Sequence, residues 1–157
     1  MGMTKTKEEI EILREAGRRL SAVLDAVIEN VRPGVGTDAL DRVAYERITA
    51  GGDKPAFLKY KPYGANRPFP ATLCVSINDE VVHGIPNEEI RILKEGDIVG
   101  LDMGIVHKNL VTDSAVTVPV GKIDEAAREL LRVTKSALEK GIEAARAGNT
   151  IGDIGYA

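Results

Sequence analysis

The sequence contains one cysteine and no long hydrophobic segment, and each shortage excludes a class of protein. Cys74 cannot form an internal disulfide and fits a reducing compartment, so we expect a cytoplasmic protein. The longest apolar runs are too short to span a bilayer, and no signal-peptide pattern opens the chain. Gly2 followed by Thr6 formally matches a myristoylation signal, but a Met-Gly cloning remnant before Met3 is the favoured interpretation. No membrane partner is therefore expected.

The charge pattern also lacks a basic stripe. The net charge is −3 and the two signs are interspersed, whereas proteins that bind nucleic acid concentrate lysine and arginine on one face. With 43% hydrophobic and 29% charged residues, the 157-residue chain is long enough to bury a core. We therefore expect a single globular domain over residues 1–157 with no nucleic-acid partner.

Hydrophobic periodicity and capping signals predict three long helices and several short strands. Thr6 and Glu9 form a capping-box pattern ahead of the first helix, and Thr37 is expected to cap the second. The predicted helices run from Lys7 to a stop at Pro33-Gly34, from Asp38 to about Ala50, and from Asp124 to about Arg146. Extended segments are predicted at residues 56–60, 72–77, 80–83, 98–106 and 110–118.

The end of the chain echoes its beginning. Leu24, Ile28, Arg32 and Gly34 recur in the same order and spacing as Leu138, Ile142, Arg146 and Gly148, and Leu40 recurs as Ile154. So few identities could arise by chance between two amphipathic helices. If the echo is genuine, residues 124–157 begin a second pseudo-repeat, and the chain is the first half of a duplicated fold.

Two aspartates stand inside predicted strands, where aspartate is a poor strand former. If Lys108-Asn109 is a two-residue turn, Gly104 faces Asp113, and Asp102 is the diagonal neighbour of Asp113 on the same face, roughly 7–8 Å away. Two carboxylates on a buried face repel unless divalent cations lie between them. The alternatives are a solvated face, or a turn one residue longer that points the two side chains in opposite directions.

Two histidines need separate interpretations. His83 stands in "SINDEVVHGIP", at the end of a predicted strand, where it could hydrogen-bond a substrate carbonyl or transfer a proton. The alternative is a half-buried histidine satisfied by backbone. His107 lies five residues along the strand from Asp102, roughly 16 Å away at about 3.3 Å per residue, so it cannot join the aspartates, and we interpret it as a turn residue.

Together these segments resemble the bacterial-type methionine aminopeptidases, which are pita-bread metallopeptidases. The resemblance runs over essentially the whole chain and rests on "RPGVGTDALD", "FPATLCVSINDEVVHGIP", "LKEGDIVGLDMGIV", "TDSAVTVPVG" and "AGNTIGDIG". It implies an α+β fold that is half of a pita-bread fold, with a helix pair, antiparallel hairpins and a further long helix. It also implies that the chain is the amino-terminal half of the catalytic domain.

The resemblance assigns an activity and a set of site residues. It implies hydrolytic removal of the initiator methionine from nascent polypeptides, with peptides bearing an N-terminal methionine as substrates. Asp102 and Asp113 match ligands of a centre holding two divalent ions, which can be Co, Mn, Fe or Zn. His83 matches the catalytic group that hydrogen-bonds the substrate, and Cys74 and Phe69 match positions lining the methionine pocket.

The sequence departs from that family at its end. The resemblance implies five metal ligands, and the remaining histidine and two glutamates belong to a second half that is absent here. We therefore expect activity only when a companion chain or a homodimer completes the centre. The competing hypothesis is an inactive pita-bread half-domain that self-associates or binds proteins. A proline-specific aminopeptidase or prolidase shares both aspartates, but these proteins usually carry an amino-terminal domain and lack the HGIP context.

Overall fold

The computed structural model describes residues 4–157, and within them it contains four helices and one four-stranded antiparallel sheet. The elements are α1 (Lys7–Ile28), α2 (Thr37–Ala50), β1 (Lys54–Pro55), β2 (Leu73–Ile77), β3 (Ile98–His107), β4 (Leu110–Pro119), α3 (Glu125–Ala144) and α4 (Ile151–Tyr156). The first part of the myristoylation pattern, residues 1–3, lies outside the described residues. The chain divides into two compact units, one ending at Lys122 and the other beginning at Ile123.

Helix α1 begins as predicted and ends earlier. Thr6 and Glu9 form the capping box in both directions. The helix ends at Ile28 because the amides after Glu29 bond three residues back, with the Asn30 N–H donating to the Val27 carbonyl at 3.0 Å. Proline at position 33 also disfavours a helical conformation at the residue before it. The predicted stop at Pro33-Gly34 is therefore several residues too late.

The prediction that Thr37 caps α2 is wrong. The N-cap residue is Gly36, which makes no side-chain cap bond, and Thr37 is the first helical residue with 0% of its surface exposed. The Thr37 hydroxyl donates to the Pro86 carbonyl at 2.7 Å and accepts from the Arg91 N–H at 3.2 Å. Its hydroxyl therefore joins the start of α2 to the segment that precedes β3.

Strand β3 is the centre of the sheet. It pairs with β4 along its whole length, while β2 and β1 pair with successive parts of its other edge. The register places Gly104 opposite Asp113, and Lys108 and Asn109 both have positive φ, at 46° and 67°. That combination is a type I′ hairpin turn. The predicted two-residue turn is confirmed, because the alternative of a longer turn would shift the register.

One face of the sheet forms the core with the first two helices. Val99, Leu101, Met103 and Ile105 alternate along β3 and are fully buried. They belong to one hydrophobic cluster with Ala16, Leu20 and Val27 of α1 and Leu40, Ala44 and Ile48 of α2. The opposite face therefore carries the alternating residues of β3, which include Asp102.

Two predicted strands do not form. Residues 56–60 make a bend and a turn, because the Ala56 N–H still bonds the Gly104 carbonyl at 2.9 Å but Lys59 then adopts a positive φ of 66°. Residues 80–83 are a loop that follows a turn after β2. The sequence pattern predicted both strands wrongly, because β-branched and aromatic residues favour an extended backbone but do not show whether another strand pairs with it.

The interpretation of His107 as a turn residue is also wrong. His107 is the last residue of β3, is 7% exposed, and has its Nδ1 2.7 Å from Asp53 Oδ1. Arg19 Nη1 of α1 lies 3.4 Å from the other oxygen of Asp53. This cluster of Arg19, Asp53 and His107 joins α1, the segment after α2 and the end of the hairpin.

The second unit contains α3 and α4. Asp124 caps α3 by accepting from the Ala127 N–H at 2.7 Å, and Thr150 and Asp153 form a capping box for α4. Gly148 has a φ of +97°, and Gly34, its counterpart in the sequence echo, has a φ of +89°. The shared glycine conformation supports the pseudo-repeat, which stays a prediction. Across residues 4–157, every helix is too short or too polar to cross a membrane.

Candidate functional site

Three strands place acidic and thiol side chains on the sheet face opposite the helices. Asp102 of β3 pairs with Cys74 of β2 on one side and with Ala115 of β4 on the other. Asp113 of β4 pairs with Gly104, two residues beyond Asp102. Directly paired residues point to the same face, so Cys74, Asp102 and Asp113 share it. The prediction that the two carboxylates point the same way is confirmed.

The two carboxyl groups interact directly. Burial raises the pKa of Asp102, and the charge of Asp113 and a hydrogen bond between the two side chains raise that pKa further. The charge interaction with His83 acts in the opposite direction and lowers the pKa of Asp102. This face of the sheet therefore holds two like-charged groups at short range, and a cation would relieve their repulsion.

The donor set defines what this face can hold. Carboxylate oxygens are ligands for divalent metals, and two carboxyl groups that lie on one face and interact with each other fit that role. Within residues 4–157, no group of three or more histidine, cysteine, aspartate or glutamate side chains lies close enough to hold a metal ion by itself. Asp102 and Asp113 therefore offer two candidate donors, and a metal centre on this face would need donors beyond them.

His83 lies in the loop after β2 rather than at the end of a strand, so that part of the prediction is wrong. Its backbone has a φ of +62° and its side chain is exposed rather than half-buried. The neighbouring Gly84 is hydrogen-bonded to Val75 and Ser76 of β2, next to Cys74, which pairs with Asp102. In keeping with this placement, His83 lowers the pKa of Asp102. The site role of His83 stays a prediction, and the backbone conformation of its loop is not readable from the sequence.

Cys74 is a buried thiol on the same face. It is 3% exposed, and burial, followed by the charges of Asp102, Asp113 and Asp41, raises its pKa to about 12. At neutral pH the side chain is an uncharged and weakly polar group. Cys74 therefore presents an apolar surface beside the carboxylates and not a nucleophile.

We expect Cys74 to be inert in the folded protein. With a pKa raised to about 12, its thiolate population at pH 8 is on the order of a thousandfold below that of a free cysteine. A thiol reagent such as dithiobis-nitrobenzoate should react correspondingly slowly in buffer, and at the ordinary rate in about 6 M urea, which unfolds most domains. Rapid reaction of the folded protein would contradict this assignment.

Two phenylalanines border the carboxylate face. The rings of Phe57 and Phe69 pack edge to face, with their centroids 6.3 Å apart and their planes at 87°. Phe57 Cε1 lies 3.2 Å from the position that a side chain on Gly104 would occupy, which puts the ring beside the residue opposite Asp113. Sequence reasoning identified Phe69 and missed Phe57, since only the fold brings Phe57 to this face.

Comparisons with known proteins show the family and the fold to which the chain is similar. The model for metallopeptidase family M24 matches residues 11–157. A methionine aminopeptidase of Aquifex aeolicus is 46% identical over 149 residues, which are 95% of this chain and 57% of that protein. The crystal structure of methionine aminopeptidase from Rickettsia prowazekii superimposes with a TM-score of 0.90 at 36% identity, covering 99% of this chain and 60% of that one.

A more distant structural match is a variant of Escherichia coli aminopeptidase P. Its TM-score is 0.79 at 25% identity, and the match covers 96% of this chain but 32% of that one. This match thus has lower similarity to the chain than the methionine aminopeptidase of Rickettsia prowazekii has. The chain spans about 60% of the length of the methionine aminopeptidases that it matches.

Proposed function

The chain belongs to metallopeptidase family M24, and from this premise we propose that it takes part in removing the initiator methionine from nascent polypeptides. The predicted resemblance to methionine aminopeptidases and the predicted α+β fold, half of a pita-bread fold, are both confirmed. The observation that carries the proposal is the pair Asp102 and Asp113, whose carboxyl groups interact on one sheet face. The substrates would be peptides with an N-terminal methionine, and we predict that the protein meets them in the cytoplasm.

Membership of this family implies dependence on divalent metal. We propose that Asp102 and Asp113 are ligands of two such ions, which can be Co, Mn, Fe or Zn. When bound, the ions would activate a water molecule and act as Lewis acids toward the scissile carbonyl. The two aspartates would hold this charge where the sheet face is open to the substrate.

The residues around the aspartates suit the other parts of this reaction. The exposed His83 imidazole can donate a hydrogen bond to the substrate carbonyl, because a neutral imidazole carries an N–H on one ring nitrogen. The neutral thiol of Cys74 and the ring of Phe69 offer an apolar surface for a methionine side chain. Phe57 extends that surface beside Gly104.

Asp102 and Asp113 would need further donors: a companion half would add a histidine and two glutamates, whereas a second copy of this chain would add its own Asp102 and Asp113. In a homodimer, four carboxylates would carry a charge of −4, which two divalent ions would neutralise. Such a dimer should form only with metal. The competing function is a non-catalytic half-domain that self-associates or binds proteins, which the lack of a three-ligand group within residues 4–157 favours.

The proposal is tested by hydrolysis of a Met-Ala-Ser peptide with added Co or Mn. We expect Asp102→Ala and Asp113→Ala each to lower metal-dependent methionine release by at least about 100-fold, because each removes a metal ligand. Asp25→Ala, which changes an exposed carboxylate of α1, is the matched control and should behave as wild type. Release that is insensitive to metal or to both site variants would overturn the proposal. If neither variant changes metal binding, folding or association, the binding-module function is favoured.

A further inference from the structure

The loop that carries His83 is irregular but is held in a specific conformation. Asn78 and His83 both lie in the left-handed region, with φ of 55° and 62°. Non-glycine residues adopt this region at an energetic cost and remain there when surrounding contacts require it. The contacts that hold this backbone conformation therefore decide where the His83 side chain points.

Arg91 and Glu80 make the central contact. The guanidinium of Arg91 pairs with Glu80 and also donates to the Val75 carbonyl of β2 at 3.0 Å. The same oxygen of Glu80 accepts from the Ile77 N–H at 3.0 Å. Arg91 also lowers the pKa of Glu80, so the pair is charged at neutral pH. This one ion pair is thus hydrogen-bonded to two backbone groups of β2, the Val75 carbonyl and the Ile77 N–H, where the chain turns away from the strand.

Gly84, the residue after His83, also bonds the loop to β2. Its carbonyl accepts from the Val75 N–H at 2.9 Å, and its own N–H donates to Ser76 Oγ at 3.1 Å. The backbone of Arg91 is itself anchored, because it exchanges hydrogen bonds with the buried Thr37 of α2. His83 therefore lies between two fixed points, Glu80 and Gly84, and both are tied to β2.

We propose that Arg91 and Glu80 are positioning residues that hold the His83 imidazole beside Asp102. The inference rests on the proposed function, since positioning His83 matters because the imidazole would bind the substrate. An exposed ion pair alone contributes little to stability. This pair differs because each partner also bonds a backbone group of β2, and through those bonds the pair acts on the conformation of residues 78–84.

The test uses nuclear magnetic resonance of the whole chain, which contains two histidines. In Arg91→Gln we expect the amide protons of Val75 and Gly84 to exchange about tenfold faster, since a hydrogen bond to a charged group is lost. The ring signals of His83 should move toward those of a free histidine, while those of His107 stay unchanged. Arg67→Gln is the matched control, because it removes another arginine–glutamate pair between loops, the one with Glu88.

Two further variants make the test specific. Glu80→Gln should move the same signals in the same direction but less, because an amide oxygen still accepts from the Ile77 N–H. The double variant Glu80→Gln, Arg91→Gln should be no worse than Arg91→Gln alone. The proposal is overturned if Arg91→Gln moves the His83 and Gly84 signals no more than Arg67→Gln does, or if the two single effects simply add. None of these measurements needs metal or hydrolysis, so they are independent of the outcome of the peptide assay.

Discussion

Gly84→Ala is expected to destabilise the protein by about 3 kcal/mol, through overpacking and the loss of two hydrogen bonds. A methyl group at this position would overlap the Val75 carbonyl oxygen and would lie 2.8 Å from its carbon. Both atoms are backbone of β2, so neither can move aside as a flexible side chain would. The loop must instead separate from β2, and it would carry His83 with it. Urea unfolding followed by circular dichroism measures the loss.

The matched control is Gly17→Ala in α1. A side chain at Gly17 would meet nothing within 4 Å, and alanine favours a helix over glycine by about 1 kcal/mol. The same chemical change should therefore stabilise the protein at position 17 and destabilise it at position 84. If Gly84→Ala unfolds within about 0.5 kcal/mol of wild type, a typical figure for inert surface changes, the close approach of the loop to β2 is wrong.

Asp53→Ala should lower the free energy of unfolding by about 2–3 kcal/mol, because it leaves buried polar groups without partners. The carboxylate bonds His107 Nδ1 at 2.7 Å and lies 3.4 Å from Arg19 Nη1. Within the described residues His107 Nε2 already lacks a partner, so the substitution would strip the buried ring of its remaining side-chain bond. Thermal unfolding at neutral pH measures the effect.

Two comparisons separate this mechanism from a general effect of charge. Asp53→Asn keeps an oxygen that can accept from His107, so it should lose less than half as much stability as alanine does. Asp38→Ala removes an exposed ion pair with Arg42 and should change stability by less than about 1 kcal/mol. Equal losses in Asp53→Ala and Asp38→Ala would show that burial of the cluster is not what matters.

The aspartate pair was predictable because local chemistry decides it. Asn109 tolerates a positive φ, and two residues between two strands rich in β-branched residues indicate a two-residue turn. Such a turn sets the register of the whole hairpin, and register decides which face each side chain occupies. The sequence therefore favoured a common face for Asp102 and Asp113, and the register of the hairpin in the structure excluded the longer turn. The capping box at Thr6 and Glu9 was predictable for the same reason, because its partners are three residues apart.

The errors share a different physical origin. Thr37 appeared to be a helix cap, but its hydroxyl is hydrogen-bonded to the backbone of Pro86 and Arg91. His107 appeared to be a turn residue, but it is buried and hydrogen-bonded to Asp53. In both cases the deciding partner is distant in sequence, and no short pattern reports it.

By itself, the sequence predicted the three long helices, the central hairpin and the family, and it favoured a shared face for the two aspartates, because each depends on neighbours within a few residues or on matching segments. The tertiary structure alone decided how His83 reaches that face, that Phe57 borders it, and that Arg91 and Glu80 hold the loop between. Those features depend on contacts between segments far apart in the chain. A polar or aromatic side chain takes whichever distant partner satisfies it when the chain folds, and its sequence neighbours do not specify that partner.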